Sequence, residues 1–215
     1  MPDSIPASSV GRLHVITDFH LQQTFDHETL AERAIAGGAD TIQFRQKHGV
    51  VRNQLIAAER VQAVCAAAEV PLIVNDRLDV ALGVDARGLH VGQDDYPVRI
   101  ARRVLGPGPI VGASASTIEQ AQEAEAGGAT YIGFGPIYPT RSKANAGATQ
   151  GLARLRACCE AVSCPVIAIG GITHRRVADV LHVGAHGVAV LSAIATAPNP
   201  HRATRRFCLA IEEAL

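Results

Sequence analysis

Gln43, Arg45 and Lys47 stand at alternate positions of the run Gln43-Phe44-Arg45-Gln46-Lys47. In an extended chain a period of two puts those three on one face and Phe44 and Gln46 on the other. Burying two cations and an amide without partners is costly, so an anionic ligand accounts for the triplet better than a frayed strand end with solvated charges. Further along, Asn75-Asp76 closes one apolar run and Gln93-Asp94-Asp95 closes the next. Taken singly, such acids suit helix caps, and Asp94 or Asp95 ahead of Tyr96-Pro97 fits that role. As a pair beside cations, Asp76 and Asp95 can instead reach a common hard cation, since Mg2+ takes one or two carboxylates with water and substrate phosphate. Both options stand.

A second group lies in GFGPIYPTRSKANAG, residues 133–147. Gly133 and Gly135 permit close backbone approach, Pro136 and Pro139 stiffen the exit, and Thr140, Ser142 and Lys143 supply donors. The glycines and alanines between Ala144 and Ala148 can serve as hinges for a flap carrying a mobile charge. Ile169-Gly170-Gly171 and Leu191-Ser192 each close an apolar run, and offer backbone N–H groups with a small hydroxyl, a second place for an anion. Ser114 alone says little, because a lone serine usually satisfies nearby backbone. His90 lies within an apolar run and is expected to be a hydrogen-bonded interior residue. His182 and His186 are separated by Gly184, which marks a helix exit rather than a metal site. No Walker lysine motif or complete dinucleotide fingerprint is present.

Apolar runs alternate with alanine-rich stretches of helical period along the chain. Strands are expected at 12–18, 39–47, 71–76, 88–93, 110–116, 129–137, 165–171 and 186–193, with helices such as 27–37, 51–68, 117–126 and 151–162 between them. The phrases AGGADTIQF, AGGATYIGF and VGAHGVAVL echo one another as helix end, glycine, then strand. Continuously apolar strands joined by helices imply a parallel sheet covered on both sides. Eight of them in 215 residues favour an α/β fold of the closed (β/α)8 TIM barrel type, with an open doubly wound sheet as the alternative. The expected organisation is a single domain over 1–215, with 1–11 as a polar N-terminal extension. The polar groups named above all follow strands, where such barrels place their reaction site.

Twenty basic and twenty acidic side chains cancel, so the overall charge suggests neither nucleic acid nor a membrane as partner. Five cysteines (Cys65, Cys158, Cys159, Cys164, Cys208) form no C-x-x-C pair and read as small buried hydrophobes in a reduced, cytoplasmic setting. The start, MPDSIPASSV, lacks the basic and apolar regions of a signal peptide.

The ordered set QFRQK (43–47), VNDRLDVAL (74–82), GLHVGQDD (88–95), GAS (112–114), GFGPIYPTRSK (133–143), VIAIGGI (166–172) and VAVLSAI (188–194) resembles the thiamine phosphate synthase family, from about residue 12 to 194. The resemblance implies a (β/α)8 transferase that joins hydroxymethylpyrimidine diphosphate to thiazole phosphate, or its carboxylate, and releases diphosphate in a dissociative step assisted by Mg2+. It implies that Gln43, Arg45, Lys47 and Asn75 hold the pyrimidine diphosphate, and that Asp76 and Asp95 hold the metal. Ser114 would meet the pyrimidine and Lys143 the departing diphosphate. Thr140, Ser142, Gly171, Leu191 and Ser192 would hold the thiazole phosphate. Such chemistry needs no protein nucleophile, and no serine–histidine pair is expected. Two departures stand out: Ser142 replaces the threonine of a common P-T-x-T-K pattern, and Ser114-Ala115-Ser116 replaces S-T-H. A tautomerase-like paralogue and a non-catalytic barrel that binds thiamine precursors are the competing readings. The thiazole form preferred, the number of subunits (a homo-oligomer included) and a part for Asp18, after the first strand, stay open.

Overall fold

The computed structural model describes residues 10–22, 24–142 and 147–215. Eight parallel strands close on themselves in sequence order: β1 (Leu13–Asp18), β2 (Thr41–Arg45), β3 (Leu72–Asn75), β4 (Gly88–Val91), β5 (Ile110–Ala115), β6 (Tyr131–Phe134), β7 (Val166–Ile169) and β8 (Gly187–Val190). Pairing of β1 with β8, His14 opposite Ala189, shuts the barrel and rules out the open sheet. The connecting helices are α1 (His27–Ala36), α2 (Val51–Ala67), α3 (Leu78–Gly83), α4 (Val98–Leu105), α5 (Ile118–Ala126), α6 (Gly151–Ala161), α7 (Val177–His182) and α8 (Ser192–Ala195), followed by α9 (Pro200–Glu212). None of the helices among the described residues is long and apolar enough to cross a membrane.

Local chemistry explains the boundaries. Asp26 and Thr117 accept the N–H groups of Thr29 and Gln120 and so start α1 and α5, while Asn199 with Pro200 starts α9. The helix expected after Tyr96-Pro97 is not capped by Asp94 or Asp95. It begins after Pro97 with no side-chain cap. The three echoing phrases share a device: Gly38, Gly128 and Gly184 all take left-handed φ, at 98°, 93° and 106°, and turn a helix end into the next strand. Strands run shorter than their apolar stretches because proline and paired glycines end the ladder, as Gly135-Pro136 does after β6.

Two clusters make the core. The larger fills the layer between barrel and helices, and the smaller, with Val10, Ile16, Ile73, Ile110, Tyr131, Ile167 and Ala189, fills the barrel itself. Tyr131 fits there because Gly112 faces it: a Cβ on Gly112 would sit 2.1 Å from the ring. Val10, in the segment expected to be a polar extension, is buried in this plug, and its carbonyl meets the His186 Nε2 at 2.8 Å. The remainder of that segment, residues 1–9, lies outside the described residues. Among the described residues the barrel is therefore packed below and open where its strands end. Cys65 and Cys158 are buried, all five thiols are unpaired, and desolvation pushes each of them up, Cys65 to about 12.

Candidate active site

A cavity of about 550 Å3 opens at the C-terminal ends of the strands. That is within the usual range for a small-molecule site. Gln43, Arg45, Lys47, Asn75, Asp76, Asp95, Ser114, Thr140, Ser142, Gly171, Leu191 and Ser192 all line it. Lys143 lies outside the described residues. The alternation read in the 43–47 run holds: Phe44 is buried among core side chains, and Gln46 faces a separate small depression on the outside.

One half of the mouth is charged. β2 ends at Arg45, whose Nη1 pairs with Oδ2 of Asp18 at the end of β1. The Asp18 carboxylate is itself fixed, since its Oδ1 accepts N–H groups from His20 and Leu21 at 2.9 and 3.3 Å. Burial lowers the Arg45 guanidinium, and Asp76 offsets part of that. Lys47 Nζ stands 2.7 Å from Asp76 Oδ2. Asp76 takes a left-handed backbone, φ 63°, which aspartate tolerates better than most residues, just after β3. Asp95 stands near enough to Asp76 to feel its carboxylate and accepts the Gly92 N–H at 2.8 Å. Burial first, and then that neighbouring acid, raises the Asp95 carboxyl above its ordinary value. Among the described residues no three metal-ligating side chains cluster. Two carboxylates held together and poorly solvated fit a hard dication that draws its remaining oxygens from substrate and water.

The floor contains an arrangement that the sequence does not foretell. His90 lies 2.9 Å from Ser114 Oγ through Nε2 and 2.9 Å from Tyr131 Oη through Nδ1. The expectation of no serine–histidine pair is thus corrected: His90 is interior and bonded, as read, and it also lines the cavity beside Ser114. Its second partner is a phenol, which burial holds protonated, rather than the carboxylate that would support a general base. Gln93 fixes the same strand end by donating to the Ser114 carbonyl at 2.6 Å.

Among the described residues the other half is built of neutral groups except for Arg154, on α6 after β6. Ser142 Oγ donates to Ser192 Oγ at 2.8 Å, and Thr140 Oγ1 donates to Ser142 Oγ at 3.3 Å, so the loop after β6 reaches the loop after β8. Gly171 and Ile172 line the cavity with N–H groups that meet no acceptor among the described residues. Ser192 begins α8, whose first N–H groups lack intrahelical acceptors.

The model of the family described as thiamine monophosphate synthase matches residues 13–194, from the start of β1 into α8. The chain belongs to that family. It is 59% identical over 207 residues to the thiamine-phosphate synthase of Salinibacter ruber, covering 96% of this chain and 91% of that one. With the thiamine-phosphate synthase of Chloroflexus aurantiacus it shares 46% over 196 residues, or 91% and 90% of the two chains. The solved thiamine phosphate pyrophosphorylase from Pyrococcus furiosus superposes with a TM-score of 0.87 at 37% identity, over 95% of this chain and 96% of that chain. For this member of the thiamine monophosphate synthase family, the described residues that motif reading assigned to the site all line the cavity. That reading missed His90 as a cavity residue, along with Gln93, Gln150 and Arg154, which line the same cavity. His90 and Gln93 belong to the same strand end as Asp95, within the run GLHVGQDD, and that nearness is the signal that was available.

Proposed function

We propose that this chain is a transferase of thiamine biosynthesis that couples an aminopyrimidine methyl diphosphate to thiazole phosphate, giving thiamine phosphate and diphosphate. The observation that carries the assignment is the division of one cavity into a half of clustered cations and acids and a half made mostly of hydroxyls and backbone amides, with Arg154 its one cation among the described residues, each suited to one phosphorylated substrate. Gln43, Arg45, Lys47 and Asn75 bind the pyrimidine diphosphate, and Ser114, held by His90, contacts the pyrimidine. Thr140, Ser142, Gly171, Leu191 and Ser192 hold the thiazole phosphate. Asp76 and Asp95 would hold Mg2+, which supplies charge neutralisation for the diphosphate when bound.

The bond between the methylene carbon and the diphosphate oxygen breaks, with its electron pair leaving on diphosphate. The thiazole nitrogen then gives its lone pair to the methylene cation and forms the new carbon–nitrogen bond. Arg45 and Lys47 stabilise the charge that grows on the departing oxygens, and Lys143 of the same chain joins them. Asp18 keeps the Arg45 fork aimed into the mouth instead of into solvent. No covalent enzyme intermediate is needed, so the Ser114–His90 pair orients the pyrimidine and does not attack it. The whole chain acts as one catalytic domain, in keeping with a cytoplasmic enzyme of small-molecule metabolism.

Incubation with both substrates and Mg2+ should yield thiamine phosphate and diphosphate in equal amounts. A tautomerase-like activity would isomerise a thiazole phosphate carboxylate without consuming the diphosphate, and a precursor-binding barrel would retain both substrates unchanged. Either result would sink the assignment.

A further inference from the structure

Arg176 does not line the cavity, yet it touches both loops that build the neutral half. It is the last residue of the short turn that precedes α7, and its Nη1 donates to the Gly171 carbonyl at 2.7 Å. Its guanidinium carbon also lies 4.2 Å from the centre of the Tyr138 ring, on the loop after β6. The planar fork can do both at once, stacking with its face and donating from its edge.

Each contact has a consequence inside the mouth. In a trans peptide the carbonyl and the following N–H point in opposite directions. Gly171 O is turned outward to Arg176, so the N–H of Ile172 is turned the other way, toward the cavity that both residues line. Gly171 has a left-handed φ of 64°, and a Cβ there would lie 2.6 Å from Pro139 O and 2.8 Å from Tyr138 Cβ. The two loops are thus in close contact at that point, and Tyr138 N donates to Gly170 O at 3.0 Å. Thr140 and Ser142 follow Tyr138 by two and four residues, so anchoring its ring fixes the root of the segment that carries those hydroxyls.

The geometry points to Arg176 as a positioning residue for the phosphate of the acceptor substrate: it sets the 171–172 peptide and couples the β6 and β7 loops into one anion cup. This rests on the two-substrate reading above, and it predicts an asymmetry that a general structural role does not. In Arg176→Ala the KM for thiazole phosphate should rise about tenfold, the scale of losing one charge-assisted hydrogen bond. The KM for pyrimidine diphosphate and the kcat at saturation should stay within about twofold of wild type. Arg176→Gln, which keeps an N–H donor for Gly171 O but no cation over the ring, should recover part of the loss. Tyr138→Leu, which keeps apolar packing and removes the stacked face, should show a smaller rise of the same kind.

Calorimetric titration of each variant with thiazole phosphate, beside a thermal melt, separates the possible failures. If the wild type binds thiazole phosphate but forms no thiamine phosphate, the functional assignment falls and the affinity ratio still tests Arg176. Equal rises in both KM values, or an unchanged thiazole phosphate affinity in a folded Arg176→Ala, would overturn the clamp. Should Arg176→Ala not fold, wild-type thiazole phosphate affinity in both Arg176→Gln and Tyr138→Leu would overturn it as well.

Discussion

The two halves of the mouth handle anions by different physics. From β1 to β4 the site uses charged groups in contact, Asp18 with Arg45 and Lys47 with Asp76, with the Asp95 carboxyl beside Asp76. From β6 to β8 it uses mainly hydroxyls and backbone N–H groups, with Ser142 on Ser192 and the Gly171–Ile172 amides lining the mouth, and Arg154 as the single cation among the described residues there. Charges suit a group whose own charge increases during reaction, as that of a leaving diphosphate does, because their effect is greater in the transition state than in the ground state. Dipoles suit a phosphate that must be held but does not change. The division therefore predicts where substitutions act: on turnover in the charged half, and on affinity in the neutral half.

The largest effects belong to the cations. Arg45→Ala should lower kcat by roughly 10²–10³-fold, the loss expected for one preorganised charge-stabilising donor, and Lys143→Ala by a similar factor. Single-turnover measurements at saturating substrates would check this. A fall confined to KM would erase the distinction between the halves. Next come the acids. Asp76→Ala and Asp95→Ala should move the Mg2+ titration of activity upward by roughly 10–100-fold, the range seen when the ligation of a metal is weakened. A variant with the wild-type titration would remove that carboxylate from the metal.

The same contrast decides what the amino-acid order alone makes legible. The charged half is legible because residue type carries the information: two cations, Arg45 and Lys47, at alternate positions of an apolar run would be costly to bury without an anion to meet them. The barrel is legible too, since the strands and helices repeat with their own periods, and helix bounds such as 27–36 and 118–126 follow from caps and glycines. The neutral half offers mostly glycines, serines and a threonine, each of which has an ordinary structural use, and its Arg154 sits on a helix face where a solvated cation is ordinary. That half's donors read as a second place for an anion, the resemblance alone named thiazole phosphate as that anion, and the contact of Ser142 with Ser192, fifty positions apart, needs the closed barrel. Arg176, and the pairing of the interior His90 with Ser114, were illegible for a related reason. Their work is done through the carbonyl of Gly171 and the hydroxyl of Ser114, and no spacing rule reports such pairings.

In the neutral half, Ser142→Ala and Ser192→Ala should each raise the KM for thiazole phosphate about three- to tenfold, as one neutral hydrogen bond is lost, with kcat nearly unchanged. Since the two hydroxyls bond to each other, the double variant should lose less than the product of the single effects. Full additivity would mean that they act on separate ligands. A kcat loss comparable to that of Arg45→Ala would mean that this phosphate takes part in the chemistry after all.

The smallest effect is the one that tests whether the acids of the charged half oppose folding when no cation bridges them. Asp95 has a carboxyl raised by burial and by Asp76, so the folded protein holds that proton more tightly than the unfolded chain does. The contribution to stability is full below the ordinary carboxylate pKa and is lost as pH rises through the raised folded value. Above that raised value, then, ionised Asp95 weakens the fold. Asp95→Asn imitates the protonated acid, keeps an oxygen for the Gly92 N–H and removes the like charge beside Asp76. Its Tm at pH 7 should exceed that of the wild type by about 1–2 °C, and the gap should close as pH falls into the carboxylate range. Added Mg2+ should raise the wild-type Tm and leave that of Asp95→Asn nearly unmoved, because a ligand that binds the folded state stabilises it only where its site survives. An Asp95→Asn variant no more stable than wild type at pH 7 would show that Lys47 already compensates the acids. The charged half would then be balanced without a metal, and its distinction from the neutral half would rest on the cations alone.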